Sequence, residues 1–174
     1  MSLLAQKNVF KGRIAGTILP IPAYSMGIGY ERFITNRISA QALYNVTGYS
    51  YAQSDGNAYD SKTIIPELRY YFNDVKPLNK AFFVGFFNSF TQTNVSAGGE
   101  SSTPSLPLSA KQKSNAPGLV LGKNFSLTKH WYIECYAGAK YQIGTETRFL
   151  LTGTMDVLLR GWQPRAGVNL AYLF

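Results

Sequence analysis

From Pro164 to Phe174 every second residue is apolar or small: Ala166, Val168, Leu170, Tyr172 and Phe174. Arg165, Gly167, Asn169, Ala171 and Leu173 fill the alternate places. A two-residue period belongs to a β-strand, whose successive side chains leave on opposite faces. One face of this strand is greasy and the other is polar or small until its last residues. The alternation runs unbroken into an aromatic residue with no polar tail behind it. A soluble domain rarely leaves such an end uncovered, so the apolar face is expected to lie against something other than water.

The same period recurs along the chain. Strands are expected near 8–19, 23–34, 38–50, 62–73, 81–93, 117–127, 131–144 and 162–174. The second, fourth and sixth connections (35–37, 74–80 and 128–130) are tight. The third, fifth and seventh (51–61, 94–116 and 145–161) are longer, and the first, 20–22, is short. An even number of alternating strands with short turns at one end and longer loops at the other is the pattern of outer-membrane barrels. Charged residues make up 15% of the chain and aromatics 14%, against roughly 25% charged in soluble domains. No apolar run reaches the roughly 18 residues of a transmembrane helix. The expected fold is all-β, an eight-stranded antiparallel up-and-down transmembrane barrel over residues 7–174 with a filled lumen. Residues 1–6 read as a leader or the remnant of a signal peptide, with export inferred from the barrel.

Four strands are expected to begin with a proline in phase with their apolar face, at Pro22, Pro66, Pro117 and Pro164. Proline cannot donate to a sheet ladder and belongs at a strand's first residue or at a bulge. Pro66 lies deepest in its pattern, so a bulge or displaced start is expected there. The fifth strand, Phe82-Phe83-Val84-Gly85-Phe86-Phe87, is apolar on both faces and its phase is not assigned.

The face opposite the apolar one carries Lys11, Arg13, Glu31, Glu67, Arg69, Glu134, Lys140 and Arg165. Charges on a lipid face cost roughly 2–4 kcal/mol near the midplane, so this set points inward. An eight-stranded barrel is just wide enough for side chains to fill it. Glu31, Glu67 and Glu134 are therefore expected to pair with Arg13, Arg69, Lys140 and Arg165 in a lumen charge network that closes the barrel. The alternative is a narrow ion or small-solute channel.

Little else carries chemistry. One cysteine, Cys135, and one histidine, His130, leave no metal set, and no cofactor motif stands out. Gly27-x-Gly29 has no helix behind it. His130 falls in an expected periplasmic turn beside Trp131, the wrong end for a general base acting at the outer leaflet, so no catalytic residue is assigned and the chain is read as no enzyme. The net charge of +8 is scattered singly, which excludes a nucleic-acid module and suits contact with anionic lipid. A soluble lipocalin-like ligand carrier would also alternate, but with its apolar set inside; the aromatics at the strand ends favour a lipid interface.

The runs Gly27-Ile28-Gly29-Tyr30-Glu31-Arg32-Phe33 and Pro66-Glu67-Leu68-Arg69-Tyr70-Tyr71-Phe72, with the ending Pro164 to Phe174, resemble a family of small, functionally uncharacterised outer-membrane barrels common in Bacteroidota. The likeness covers nearly all of the chain past Lys7. It implies an eight-stranded barrel in the bacterial cell outer membrane, exposed at the surface, with no catalytic residues to carry over. Leu170, Tyr172 and Phe174 resemble the signal read by the barrel-assembly machinery during biogenesis. Outer-membrane lipid and lipopolysaccharide are the further expected contacts.

Two outer segments differ in character. The 94–116 segment, with Lys111 and Lys113, reads as a mobile polar tip. The 145–161 segment is too apolar for a loop left in water, with Phe149, Leu151, Met155 and Leu158 between Arg148 and Arg160. It is expected either to form a hairpin turning near Thr152-Gly153 or pack over the barrel mouth, or to dock another outer-membrane protein. The functional expectation is a small closed barrel with a structural or interaction role, an accessory subunit of an outer-membrane complex.

Overall fold

The alternation of the sequence becomes eight strands in a computed structural model that describes residues 8–16, 24–50, 58–72, 81–96, 109–150 and 153–174. They are β1 (Asn8–Gly16), β2 (Tyr24–Phe33), β3 (Ile38–Ser50), β4 (Ala58–Tyr71), β5 (Phe82–Ser96), β6 (Ser109–Ser126), β7 (Trp131–Leu150) and β8 (Gly153–Leu173). Each pairs antiparallel with its neighbour in sequence and β8 returns to β1, closing the ring. Among the described residues there is no helix long and apolar enough to cross a membrane.

The register is uniform. From Gly12 the paired partners run through Ile28, Tyr44, Ile64, Phe90, Asn115 and Ile143 to Arg160. Gly12 itself pairs across the seam with Leu170, ten residues further along β8. With strands about 4.8 Å apart and rising about 3.3 Å per residue, that stagger tilts them by about 40°. The wall turns Met26, Ile28, Ile64, Leu68, Phe86, Leu119, Leu121 and Val168 outward, each more than half exposed. Aromatics collect at both ends of this apolar band, Tyr70, Phe82, Phe125 and Trp131 by the short turns and Tyr44, Phe90, Tyr141 and Trp162 towards the longer connections. Apolar outside and charged inside is the phase of a membrane barrel and the reverse of a lipocalin.

The strands from β4 to β8 are longer than the sequence suggested, and in β4, β6 and β8 the prolines are the reason. Pro66, Pro117 and Pro164 lie inside β4, β6 and β8; Pro22 falls outside the described residues. The expected bulge at Pro66 is not there. β3 pairs straight through it, Ala42 with Pro66. Towards β5 only the rungs at Ile65 and Pro66 are lost, and pairing resumes in the same register. The ladder from β6 to β7 skips Ala116 and Pro117 in the same way. A missing N–H removes a rung without adding a residue, so the register holds. Lys111 and Lys113, expected in a mobile tip, lie within β6. The 145–161 segment is the expected hairpin: Leu150 pairs with Gly153, whose φ of 143° is a conformation L side chains rarely adopt. The 34–37 and 127–130 turns are tight, closed by hydrogen bonds from Ile34 N to Ile38 O and Leu127 N to Trp131 O. The 73–80 connection and the leader at 1–6 lie outside the described residues.

The seam is the thinnest part of the ring. β1 and β8 share four rungs, from Val9–Leu173 to Gly12–Leu170, with two further bonds between Asn8 and Phe174. Above Gly12 the two strands part.

Candidate functional site

Strand phase aims one residue in two at the axis, and in a barrel this narrow those side chains meet. At the centre are Glu31, Glu67, Arg69 and Glu134, each almost fully buried, with Arg165 9% exposed. Glu134 accepts from Arg69 Nη1 at 2.5 Å, Arg69 Nη2 at 3.0 Å and Asn169 Nδ2 at 2.7 Å. Arg69 Nε donates to Glu67 Oε1 at 2.6 Å, and Arg165 Nη1 reaches Glu67 Oε2 at 3.0 Å. Tyr71 donates to Glu31 Oε1 at 2.7 Å, and Ser39 donates to the same oxygen.

Lys11 completes the cluster. Its ammonium lies 2.6 Å from both Glu31 Oε2 and Glu134 Oε2 and donates to Gln41 Oε1 at 2.8 Å. Strand phase had turned it inward without giving it a partner. Lys11, Arg69 and Arg165 thus balance Glu31, Glu67 and Glu134. Burying ions is repaid only where geometry is good, and the close pairs of this lattice meet that condition, while Gln41 Nε2, Asn169 Oδ1 and Arg165 Nη2 are left without a hydrogen bond.

Arg13 and Lys140, expected in the same network, stand apart from it. Both are half-buried on the loop side of the cluster, and among the described residues neither makes an ion pair. Alternation reports which face a residue occupies but not whose height it shares.

Aromatic planes floor the lattice. The Arg69 guanidinium carbon lies 4.1 Å from the Phe83 centroid and that of Arg165 lies 3.9 Å from Phe87. Phe83 and Phe87 are buried while Phe82 and Phe86 face out, which settles the phase of β5.

The other singled-out residues lie on the periphery. Leu170 and Tyr172 are on β8, Leu170 exposed and the Tyr172 ring tilted against Trp131 with centroids 4.9 Å apart; Phe174 follows the strand and is exposed. Phe149 sits on β7 with Lys111 Nζ 5.9 Å from its ring. Met155 and Leu158 are exposed on β8, and Leu151 lies outside the described residues. Cys135 is free and half-buried on the outward face. His130 is exposed in a short turn, its Nδ1 3.1 Å from the Leu173 carbonyl.

A ring of eight tilted antiparallel strands, charged within and apolar without, is the fold of the small outer-membrane barrels. The sequence places the chain in one family: it belongs to the group described as protein of unknown function (DUF3575), whose pattern matches residues 14–174. No curated protein matches it in sequence. Among solved structures it is similar to a major outer membrane protein from Thermus thermophilus, with a TM-score of 0.60 and 11% identity over 98% of this chain and 100% of that one. It is also similar to Ail, the attachment invasion locus protein of Yersinia pestis (TM-score 0.52, 9% identity, 99% and 100% covered). The N-terminal barrel domain of Pseudomonas aeruginosa OprF aligns comparably (TM-score 0.52, 13% identity, 97% and 96% covered). At these identities the likeness is one of fold.

Proposed function

We propose that the chain is a sealed barrel of the bacterial outer membrane that acts as a structural or interaction platform, without catalysis and without transport through its lumen. The observation that carries this reading is the balanced set of Lys11, Arg69 and Arg165 against Glu31, Glu67 and Glu134 across the barrel interior. A barrel of eight strands holds packed side chains or one small ligand, and here ion-paired side chains occupy that width. Planar-bilayer recordings of the refolded protein test it, and no stable conductance is expected. Reproducible charge-selective currents that change with Glu67→Gln would replace the sealed reading with a narrow channel. The β7–β8 hairpin supplies the interaction surface, since Met155, Leu158 and Trp162 are 53%, 69% and 74% exposed and would meet another outer-membrane chain or the lipid around it.

A further inference from the structure

Between the balanced cluster and the longer connections, three cations gather from β1, β7 and β8 with little acid to meet them. Arg13 donates through Nη2 to the Ala166 carbonyl at 3.3 Å, and its Nε makes no hydrogen bond. Arg165 uses Nη1 on Glu67, and its Nη2 makes none. Lys140 pairs in register with Gln163, which places it diagonally next to Arg165 on the inward face.

Tyr136 joins them. It is buried, its ring centroid lies 5.8 Å from the Arg13 guanidinium carbon and 5.0 Å from that of Arg165, and its hydroxyl makes no hydrogen bond. The convergence depends on Gly167, where a β-carbon would stand 2.5 Å from the Tyr136 hydroxyl and 3.0 Å from Arg13 Nη2. Among the described residues at this depth and in the cluster beneath, five cations (Lys11, Arg13, Arg69, Lys140 and Arg165) face three carboxylates (Glu31, Glu67 and Glu134). Uncompensated charge at membrane depth is costly, and guanidinium forks match the paired oxygens of a phosphate or carboxylate.

We propose that Arg13, Lys140, Arg165 and the Tyr136 hydroxyl bind a small oxyanion, a phosphate or carboxylate group, in the loop-side half of the barrel. The anion neutralises the excess charge and stops there, because the balanced cluster fills the barrel below it. Two deliveries lead to this place. One is the mouth. The other is the outer wall, where an apolar groove of about 790 Å³ lined by Gly12, Met26, Ile28, Val168 and Leu170 reaches Arg13 at the parted seam.

Calorimetric titration of the folded, micelle-held protein with inorganic phosphate at fixed ionic strength tests the site. Saturable binding is expected, with chloride unable to compete. Arg13→Gln and Lys140→Gln are each expected to weaken it about tenfold, and Tyr136→Phe, which alters no charge, about threefold. Lys62→Gln, on the outer wall, leaves it unchanged. Heat-modifiable gel mobility identifies folded variants; should Arg13→Gln fail to fold, Lys140→Gln and Tyr136→Phe decide. No saturable binding, equal competition by chloride, or an equal loss in Lys62→Gln would overturn the proposal. A short-chain phosphatidic acid in the same micelles separates the deliveries. Weakening of that lipid alone by Gly12→Phe supports the site with a headgroup arriving through the wall, and no effect supports it with an anion from the mouth.

Discussion

Glu134 holds more of the interior together than any neighbour, because donors from β1, β4 and β8 converge on its two oxygens. Glu134→Gln leaves Lys11 and Arg69 short of a counter-charge inside the barrel, and breaking a buried pair from one side costs about 3–5 kcal/mol. Urea unfolding in lipid vesicles should show a loss of that size, and a loss no larger than that of a surface substitution would mean water reaches the cluster. On the outer wall depth decides the outcome. Leu121 lies near mid-height of the apolar band, whereas Leu158 lies on β8 in the register row that carries Lys62 and Lys113. Leu121→Arg should cost about 2–4 kcal/mol and Leu158→Arg about 0–1 kcal/mol in the same assay. Equal penalties would mean that the bilayer covers the hairpin.

Among the elements, the β1–β8 seam is expected to open first. Four rungs join these strands where β6 and β7 share sixteen, and local stability follows such pairing. Hydrogen exchange in micelles should find amides of β1 beyond Gly12 exchanging faster than those of β6 and β7; uniform protection around the ring would show the seam closed in solution. Much of the element plan was legible in the sequence, since strand number, order and the in–out phase of seven strands follow from period two alone. The lengths were not. Pro66, Pro117 and Pro164 look like strand starts, but antiparallel strands carry a missing donor through, so β4 and β6 begin eight residues before their prolines and β8 eleven before its own. β5 hid its phase for a different reason. Its inward Phe83 and Phe87 serve as planes under Arg69 and Arg165, which makes both of its faces aromatic. The site was legible only in part, because Lys11 and Arg13 share a face and a strand, and only the tilt and the reach of each side chain decide that one pairs with acids while the other does not.

For the whole molecule, the cross-ring wiring of the charges has a consequence for assembly. Glu134 on β7 finds its cations on β1 and β4, and Arg165 on β8 finds its acid on β4. Within the terminal hairpin the two do not meet, for Glu134 stands opposite Asn169 and Arg165 opposite Gly138. A β7–β8 unit entering hydrocarbon ahead of the rest would therefore bring a lone carboxylate and a lone guanidinium with it, a penalty of several kcal/mol per ion. Strand-by-strand insertion is disfavoured on this ground alone. The late strands are therefore expected to enter the bilayer only as β1 comes round to meet β8, with ring closure and descent a single concerted step.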